Sequence, residues 1–220
     1  MDIVYIHGWG YGAAVWNPLC RILETELPEH ENHFIDLGFT GVEQQPELPD
    51  NAVVIAHSLG VLLALKNLAH LNAPSYFIAI NGFDCFFKHG PVRQMEAMQK
   101  NLHRKPWAQM VMFWRACGTM PFAKEDELNL EKLAQGLDML LTHDAEEALK
   151  NLSCPVLALG SRDDAIVGPD MFESIWQDHS LVWAKDGGHV LPLSRPEWCA
   201  DHIVEYVLNH PHDDGEGQNA

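Results

Sequence analysis

Short apolar runs alternate with longer segments of helical period along most of this chain. The runs cover residues 2–6, 33–36, 52–56, 76–80, 156–160 and 180–184. They are rich in Val, Ile, Leu and Ala and mostly do not alternate with polar residues, as expected of strands buried on both faces. Residues 14–27, 58–71, 169–176 and 196–208 carry their apolar positions at helical spacing. Alternation of this kind predicts an α/β fold: a doubly wound, mostly parallel sheet of about six strands with right-handed crossovers.

Residues 85–152 break the rhythm. The stretch is rich in Met, Trp and Phe and reads as several helices with no strand. Inserted between two sheet strands, it predicts a helical cap over a core made of residues 1–84 and 153–210. Met95, Met98, Met110, Met112, Phe113, Trp114 and Met120 are adaptable apolar residues that pack cap against core. Some of them should face a substrate cavity, and Met110 and Phe113 are the candidates carried forward. Residues 211–220 are polar and Gly-rich and read as a disordered tail.

A length of 220 residues suits one domain, or one domain with a small insertion. No apolar run reaches the ~20 residues needed to cross a bilayer. The chain starts directly in a strand, without the basic and apolar regions of a signal peptide. Its five cysteines are odd in number and scattered, which suggests neither a disulfide framework nor a zinc site. These features together predict a cytoplasmic protein. The net charge of −17 argues against nucleic-acid binding. Charge is unevenly spread, however. Seven of the 14 basic residues lie between Lys88 and Lys124, where only Glu96 opposes them. This local excess reads either as a site for an anionic partner or as the solvated outer faces of helices.

The chemistry is concentrated where the third apolar run ends, at Ala56-His57-Ser58-Leu59-Gly60. A serine between small residues, at the tip of a strand and the start of a helix, is a nucleophile elbow. The alternative is that Ser58 merely caps the helix. A serine nucleophile needs a base, and the base needs an orienting acid. After the fifth run comes Gly160-Ser161-Arg162-Asp163-Asp164. Either aspartate could orient an imidazole, and the spacing from Gly160 favours Asp163. After the sixth run a Gly187-Gly188 pair precedes His189, the candidate base. The oxyanion formed on attack needs backbone N–H donors. Leu59, following the nucleophile, supplies one, and Trp9 in the loop His7-Gly8-Trp9-Gly10 is the candidate for the other. Trp9 and Leu59 therefore also border the expected substrate position. His57 reads as structural or pocket-lining. Nothing in the sequence calls for a metal or an organic cofactor.

With these elements in this order, the chain resembles the α/β-hydrolase superfamily from Met1 to Leu208. Its loops are most similar to those of the pimeloyl-[acyl-carrier protein] methyl ester esterases of biotin synthesis. The resembling segments are His7-Gly-Trp-Gly with Val15-Trp16, Asp36-Leu-Gly-Phe-Thr-Gly41, Ser58-Leu-Gly60, Gly136-Leu137 with Leu140 and Asp144, Leu152-Ser-Cys-Pro-Val156, Gly160-Ser161-x-Asp163, and His189-x-x-Pro-x-Ser-x-Pro196. The resemblance implies a serine carboxylesterase in which basic cap residues meet an acidic carrier protein. Arg93, Lys100, Arg104 and Lys105 are the docking candidates. The implied substrate is an acyl methyl ester, free or carrier-bound, acted on by a monomer without membrane, nucleic acid or cofactor. An acyl-thioesterase or a general short-chain carboxylesterase is the alternative with the same machinery. A non-catalytic ligand-binding protein is the alternative of another class. The chain departs from the family at Ala56, where the elbow usually has glycine. The segment 38–50 is also shortened, and with the first predicted strand directly before His7, one or two N-terminal strands usual in the superfamily are expected to be missing.

Overall fold

In the computed structural model, which describes residues 1–27, 29–72 and 74–210, the apolar runs form one six-stranded sheet. The strands are β1 (Ile3–Ile6), β2 (Asn32–Ile35), β3 (Val53–His57), β4 (Tyr76–Ile80), β5 (Val156–Ser161) and β6 (Ser180–Ala184). They lie in the order β2-β1-β3-β4-β5-β6, and every neighbouring pair is parallel. All residues of the central strands β3 and β4 are buried, whereas the edge strand β2 is half-buried throughout. The apolar runs therefore mark strands covered on both faces, as parallel strands require.

The order reverses at β1. From β1 the chain passes outward to β2, while from β3 it proceeds in the other direction through β4, β5 and β6. Right-handed crossovers then place α1 (Asn17–Glu26) on one face and α2 (Leu59–Lys66) and α8 (Pro169–Trp176) on the other. The final helix α10 (Pro196–Asn209), reached through the short α9 (Leu191–Ser194), packs against α1. A crevice opens at such a reversal, beyond the carboxyl ends of the flanking strands. The His7–Gly10 loop follows β1 and Ser58 follows β3, so both stand at this crevice.

Two predicted helices are subdivided. Residues 14–27 form a 3-10 turn, Ala13–Trp16, followed by α1. Pro18 has no N–H to bond back into the turn, so the α-helix starts afresh around it. Residues 58–71 become α2 and a 3-10 turn, Leu68–His70, because Asn67 leaves helical geometry at φ −118°.

Between β4 and β5 lie α3 (Phe86–His89), α4 (Val92–Arg104), α5 (Pro106–Ala116), α6 (Leu130–Thr142) and α7 (Glu146–Lys150), with no strand among the described residues. Met95, Met98 and Leu102 are the buried stripe of α4, which packs on α5 and α6. The connection from β2 to β3 has no helix. Gly38, Gly41, Pro46 and Pro49 interrupt it, and its only pairing among the described residues is an isolated bridge between Asp36 and Gln44. A groove of about 570 Å³ lies beneath this loop, lined by Ile6, Leu63, Gly136 and others and bordered by the Lys132–Glu43 ion pair. It does not include Ser58. The five cysteines are free thiols, and no helix among the described residues is long and apolar enough to cross a membrane. The tail expected over residues 211–220 lies outside the described residues.

Candidate active site

Ser58 sits between β3 and α2 with φ 52° and ψ −122°. An L residue adopts this conformation only when its surroundings enforce it. The enforcement is visible on both sides. A Cβ on Gly60 would stand 2.3 Å from the Ile6 carbonyl oxygen, and one on Gly8 would stand 2.8 Å from the Ser58 Cβ. Glycine at these two positions lets β1 and its following loop run against the elbow. Ser58 makes no side-chain capping bond to α2, so the helix-cap reading of this serine does not hold.

The Ser58 hydroxyl instead meets His189. His189 Nε2 lies 2.9 Å from Ser58 Oγ, and His189 Nδ1 lies 2.8 Å from Asp164 Oδ2. A carboxylate can only accept, so Nδ1 carries the proton and Nε2 is left to accept from the serine hydroxyl. All three residues are buried. The carboxylate on His189 is therefore Asp164, and the expectation of Asp163 is corrected. β5 runs one residue beyond its predicted end, to Ser161, and a turn closes from the Asp164 N–H to the Ser161 carbonyl at 3.3 Å. That turn leaves Asp163 exposed and points Asp164 inward, where its Oδ1 accepts from the N–H groups of Ile166 (2.7 Å) and Val167 (3.0 Å). One sequence signal was available: Asp164 is followed by the apolar Ala165-Ile166-Val167, whereas Asp163 follows Arg162.

Asp163 has a different task. Its Oδ1 accepts from the Ser161 hydroxyl at 2.6 Å and from the Gly188 N–H at 2.8 Å. These bonds favour the ionised form and hold its carboxyl below the usual range. The His189 loop is clamped from other directions too. Asn81 Nδ2 donates to the Gly188 carbonyl at 2.9 Å, and the His189 N–H donates to the Cys117 carbonyl, at the end of α5, at 3.2 Å. The His189 carbonyl accepts from His57 Nε2 at 2.8 Å. His57 is completely buried, and burial keeps it neutral by pushing its pKa well below the ordinary histidine value. It lines none of the cavity above Ser58.

Among the described residues, neither the Trp9 nor the Leu59 backbone N–H finds an intramolecular acceptor. Leu59 opens α2, where such unpaired donors are expected. The Trp9 side chain is fixed by its Nε1–H, which donates to the Leu133 carbonyl on α6 at 2.8 Å, and by edge-on contact with Phe113.

A cavity of about 300 Å³ lies over Ser58, between the sheet and the α4–α5 pair. Trp9 and Phe113 line it, as do Met95, Met98 and Met112. Met110 and Leu59, expected to contact substrate, do not line it. Met110 is completely buried against Gly10, and the Leu59 side chain points into the core. Sequence reasoning missed the polar lining residues Gln94, Asn101 and Gln109, because an amide among helical polar positions carries no mark of its own. Arg93, Lys100, Arg104 and Lys105 are all exposed on α4 and the α4–α5 turn, with no acidic partner within 4 Å among the described residues. Lys88 is different, because Asp144 and Glu146 both hold it at 2.7 Å.

The sequence pattern of the alpha/beta hydrolase family matches residues 3–202. The chain is 26% identical to the pimeloyl-[acyl-carrier protein] methyl ester esterase of Vibrio parahaemolyticus, over 90% of this chain and 91% of that protein. It is 29% identical to the protein of the same name from Shewanella oneidensis, over 76% of this chain and 74% of the other. Among solved structures, an esterase from Exiguobacterium antarcticum superposes with a TM-score of 0.78 at 14% identity, covering 94% of this chain and 92% of that one. An esterase from Thermogutta terrifontis superposes with a TM-score of 0.72 at 17% identity, covering 95% and 90%. At these identities the structural likeness is one of fold.

Proposed function

The chain belongs to the alpha/beta hydrolase family, and on that premise we propose that it is a serine carboxylesterase acting on the methyl ester of a medium-length acyl group, pimeloyl in type, carried on an acyl-carrier protein. The observation that carries the esterase reading is the unbroken hydrogen-bonded line Ser58–His189–Asp164 at the floor of a cavity.

The steps follow from that line. Ser58 Oγ attacks the ester carbonyl while His189 Nε2 takes its proton. Asp164 holds Nδ1–H and stabilises the imidazolium that forms. The carbonyl oxygen becomes negative and is held by the Trp9 and Leu59 N–H groups, each worth ~3 kcal/mol in the transition state. His189 then gives that proton to the departing methoxide oxygen, which leaves as methanol. Water enters, gives a proton to His189 and attacks the acyl-enzyme, and Ser58 leaves with the proton returned. The acid product remains on its carrier.

Three features support the finer substrate. The relatives described above carry that activity in their names. The cavity is walled by Met and Phe side chains suited to methylenes. Unpaired cations outside it face solvent in an otherwise acidic protein, as an acidic carrier would require. The test is turnover of p-nitrophenyl and methyl esters by the purified wild type and Ser58→Ala. The wild type should hydrolyse both and the variant neither, at unchanged melting temperature. A fully active Ser58→Ala protein would overturn the mechanism.

A further inference from the structure

His7 is completely buried where β1 ends, two residues before Trp9. None of the catalytic steps consumes or moves its proton, yet both of its ring nitrogens are engaged. The Leu37 N–H, in the chain leaving β2, donates to His7 Nε2 at 2.9 Å. His7 Nδ1 lies 2.9 Å from the Gly8 carbonyl oxygen. An amide N–H can only donate, so Nε2 accepts and the ring proton sits on Nδ1, which donates to that carbonyl. Asp36 stands beside the ring, with Oδ1 3.3 Å from Nε2. Its carboxylate is itself held by the N–H groups of Ala13 (2.8 Å) and Gly38 (2.9 Å). A second proton on the ring would give Nε2 a bond to Asp36 and leave the Nδ1 donor in place.

The Gly8 carbonyl and the Trp9 N–H belong to one planar trans peptide and point in opposite directions. A bond that holds the oxygen therefore aims the hydrogen. This peptide needs holding. A Cβ on residue 8 would stand 2.8 Å from both His57 Nδ1 and Ser58 Cβ, so the elbow imposes glycine there. Glycine leaves the backbone its widest conformational freedom. The elbow thus places a loose joint just before an oxyanion donor, and His7 is the side chain that stiffens it. Beyond the joint, the Trp9 side chain is anchored to α6 through the Leu133 carbonyl at 2.8 Å.

We infer that His7 is a positioning residue: its Nδ1–H holds the Gly8–Trp9 peptide plane so that the Trp9 N–H faces the oxyanion formed when Ser58 attacks, and the Leu37 N–H selects the tautomer that can do so. The helix-free connection from β2 to β3 thereby reaches the reacting centre through one imidazole. This rests on the esterase reading and deepens it.

The experiment uses two amides that each imitate one imidazole nitrogen. The amide nitrogen of Asn takes the place of Nδ1, and that of Gln the place of Nε2. Kinetics on a p-nitrophenyl ester, run below the melting temperature of each variant, should show His7→Asn within about fivefold of wild-type kcat. His7→Gln should fall about 10- to 100-fold, part of the loss that follows removal of an oxyanion donor. KM should stay within about twofold in both, because the donor acts in the transition state. The inhibition constant of an alkyl trifluoromethyl ketone, whose adduct with Ser58 carries the oxyanion, should rise in step with the loss of kcat. Gln fills the buried space better than Asn, so packing alone gives the opposite order. That opposite order, or equal kcat in the two variants, would overturn the inference. Nitrogen NMR of the wild-type imidazoles needs no variant to fold: it should find a proton on His7 Nδ1, and a ring without one would also overturn the inference. A wild type that hydrolyses no ester fails the esterase reading itself, and the inference falls with it.

Discussion

His57 Nε2 donates to the backbone carbonyl of His189 at 2.8 Å, so the residue before Ser58 holds the main chain of His189, the proposed base. The two rings lie 4.9 Å apart, and Tyr11 and Trp16 pack edge-on against His57. His57→Met fills similar space without a donor, whereas His57→Gln restores one at nearly the same reach. We expect kcat to fall about 10- to 100-fold in the Met variant, as small displacements of a catalytic base commonly cause. The Gln variant should stay within about fivefold of wild type. Equal losses in the two variants would assign His57 to packing alone.

The same histidine sets a pH dependence of stability. Its folded pKa lies well below the ordinary 6.5 because burial disfavours the charged form. The unfolded chain therefore takes up a proton near pH 6.5 that the folded chain refuses, and stability falls as pH drops below that value. His57→Gln removes this term. Melting curves at pH 7.5 and pH 5.5 should show a smaller acid-induced drop for His57→Gln than for wild type.

Asp164→Asn and Asp163→Asn separate the neighbouring carboxylates. Asp164→Asn leaves His189 without its acceptor and permits the wrong tautomer, so kcat should fall by about 10³-fold or more. Asp163→Asn weakens only the bonds to Ser161 and Gly188, and a loss of about tenfold or less is expected. Because Asp163 is ionised more readily in the fold, its support is present above the ordinary carboxylate pKa of 3.8 and is lost as pH falls through its lower folded value. A larger effect at Asp163 than at Asp164 would contradict the geometry.

This pair also marks where the sequence stopped being legible. Strands and crossovers follow from period and apolar content, because a strand buried on both faces has few ways to be written. Ser58, His189 and the Trp9 loop follow from their places after strands. The choice between Asp163 and Asp164 turns on one extra residue in β5 and on a turn, which no periodicity reports. Met110 was misplaced for a related reason. On α5 the cavity-lining Gln109, Met112, Phe113 and Ala116 lie beside the core residues Met110 and Trp114, and apolar residues occupy both faces. The missing helix between β2 and β3 was visible only as a shortened, Pro- and Gly-rich segment.

The cations of α4 and the α4–α5 turn, unpaired among the described residues, make a prediction about partner size. Reversing Arg93, Lys100, Arg104 and Lys105 to Glu changes the local charge by about eight units, on a surface where no acidic group among the described residues lies within 4 Å of them. The ratio of kcat/KM on a carrier-bound ester to that on the free methyl ester should fall at least tenfold. Raising salt should lower the same ratio in wild type, because exposed charges are screened. An unchanged ratio would remove the cap charges from carrier recognition.

The two small residues flanking the elbow should both lose stability on exchange but differ in their effect on kcat. Ala56 is completely buried in β3, in register with Ile6 and Ala79, and its methyl group is already accommodated. Ala56→Gly restores the residue usual in such elbows, yet it removes packing and frees the unfolded chain. A cost of about 1 kcal/mol and a fall of a few degrees in melting temperature are expected, with kcat within twofold. Gly60→Ala places a methyl carbon 2.3 Å from the Ile6 carbonyl and 2.7 Å from the His7 carbonyl. Both are backbone atoms at the end of a strand paired on both sides, so neither can turn aside. β1 and α2 must separate, and the Trp9 loop moves with β1. Gly60→Ala should therefore lose more than tenfold in kcat as well as several degrees, and thermal melting with steady-state kinetics on one ester reads both. A Gly60→Ala enzyme with wild-type kcat would show that the Trp9 loop is not positioned by its contact with the elbow.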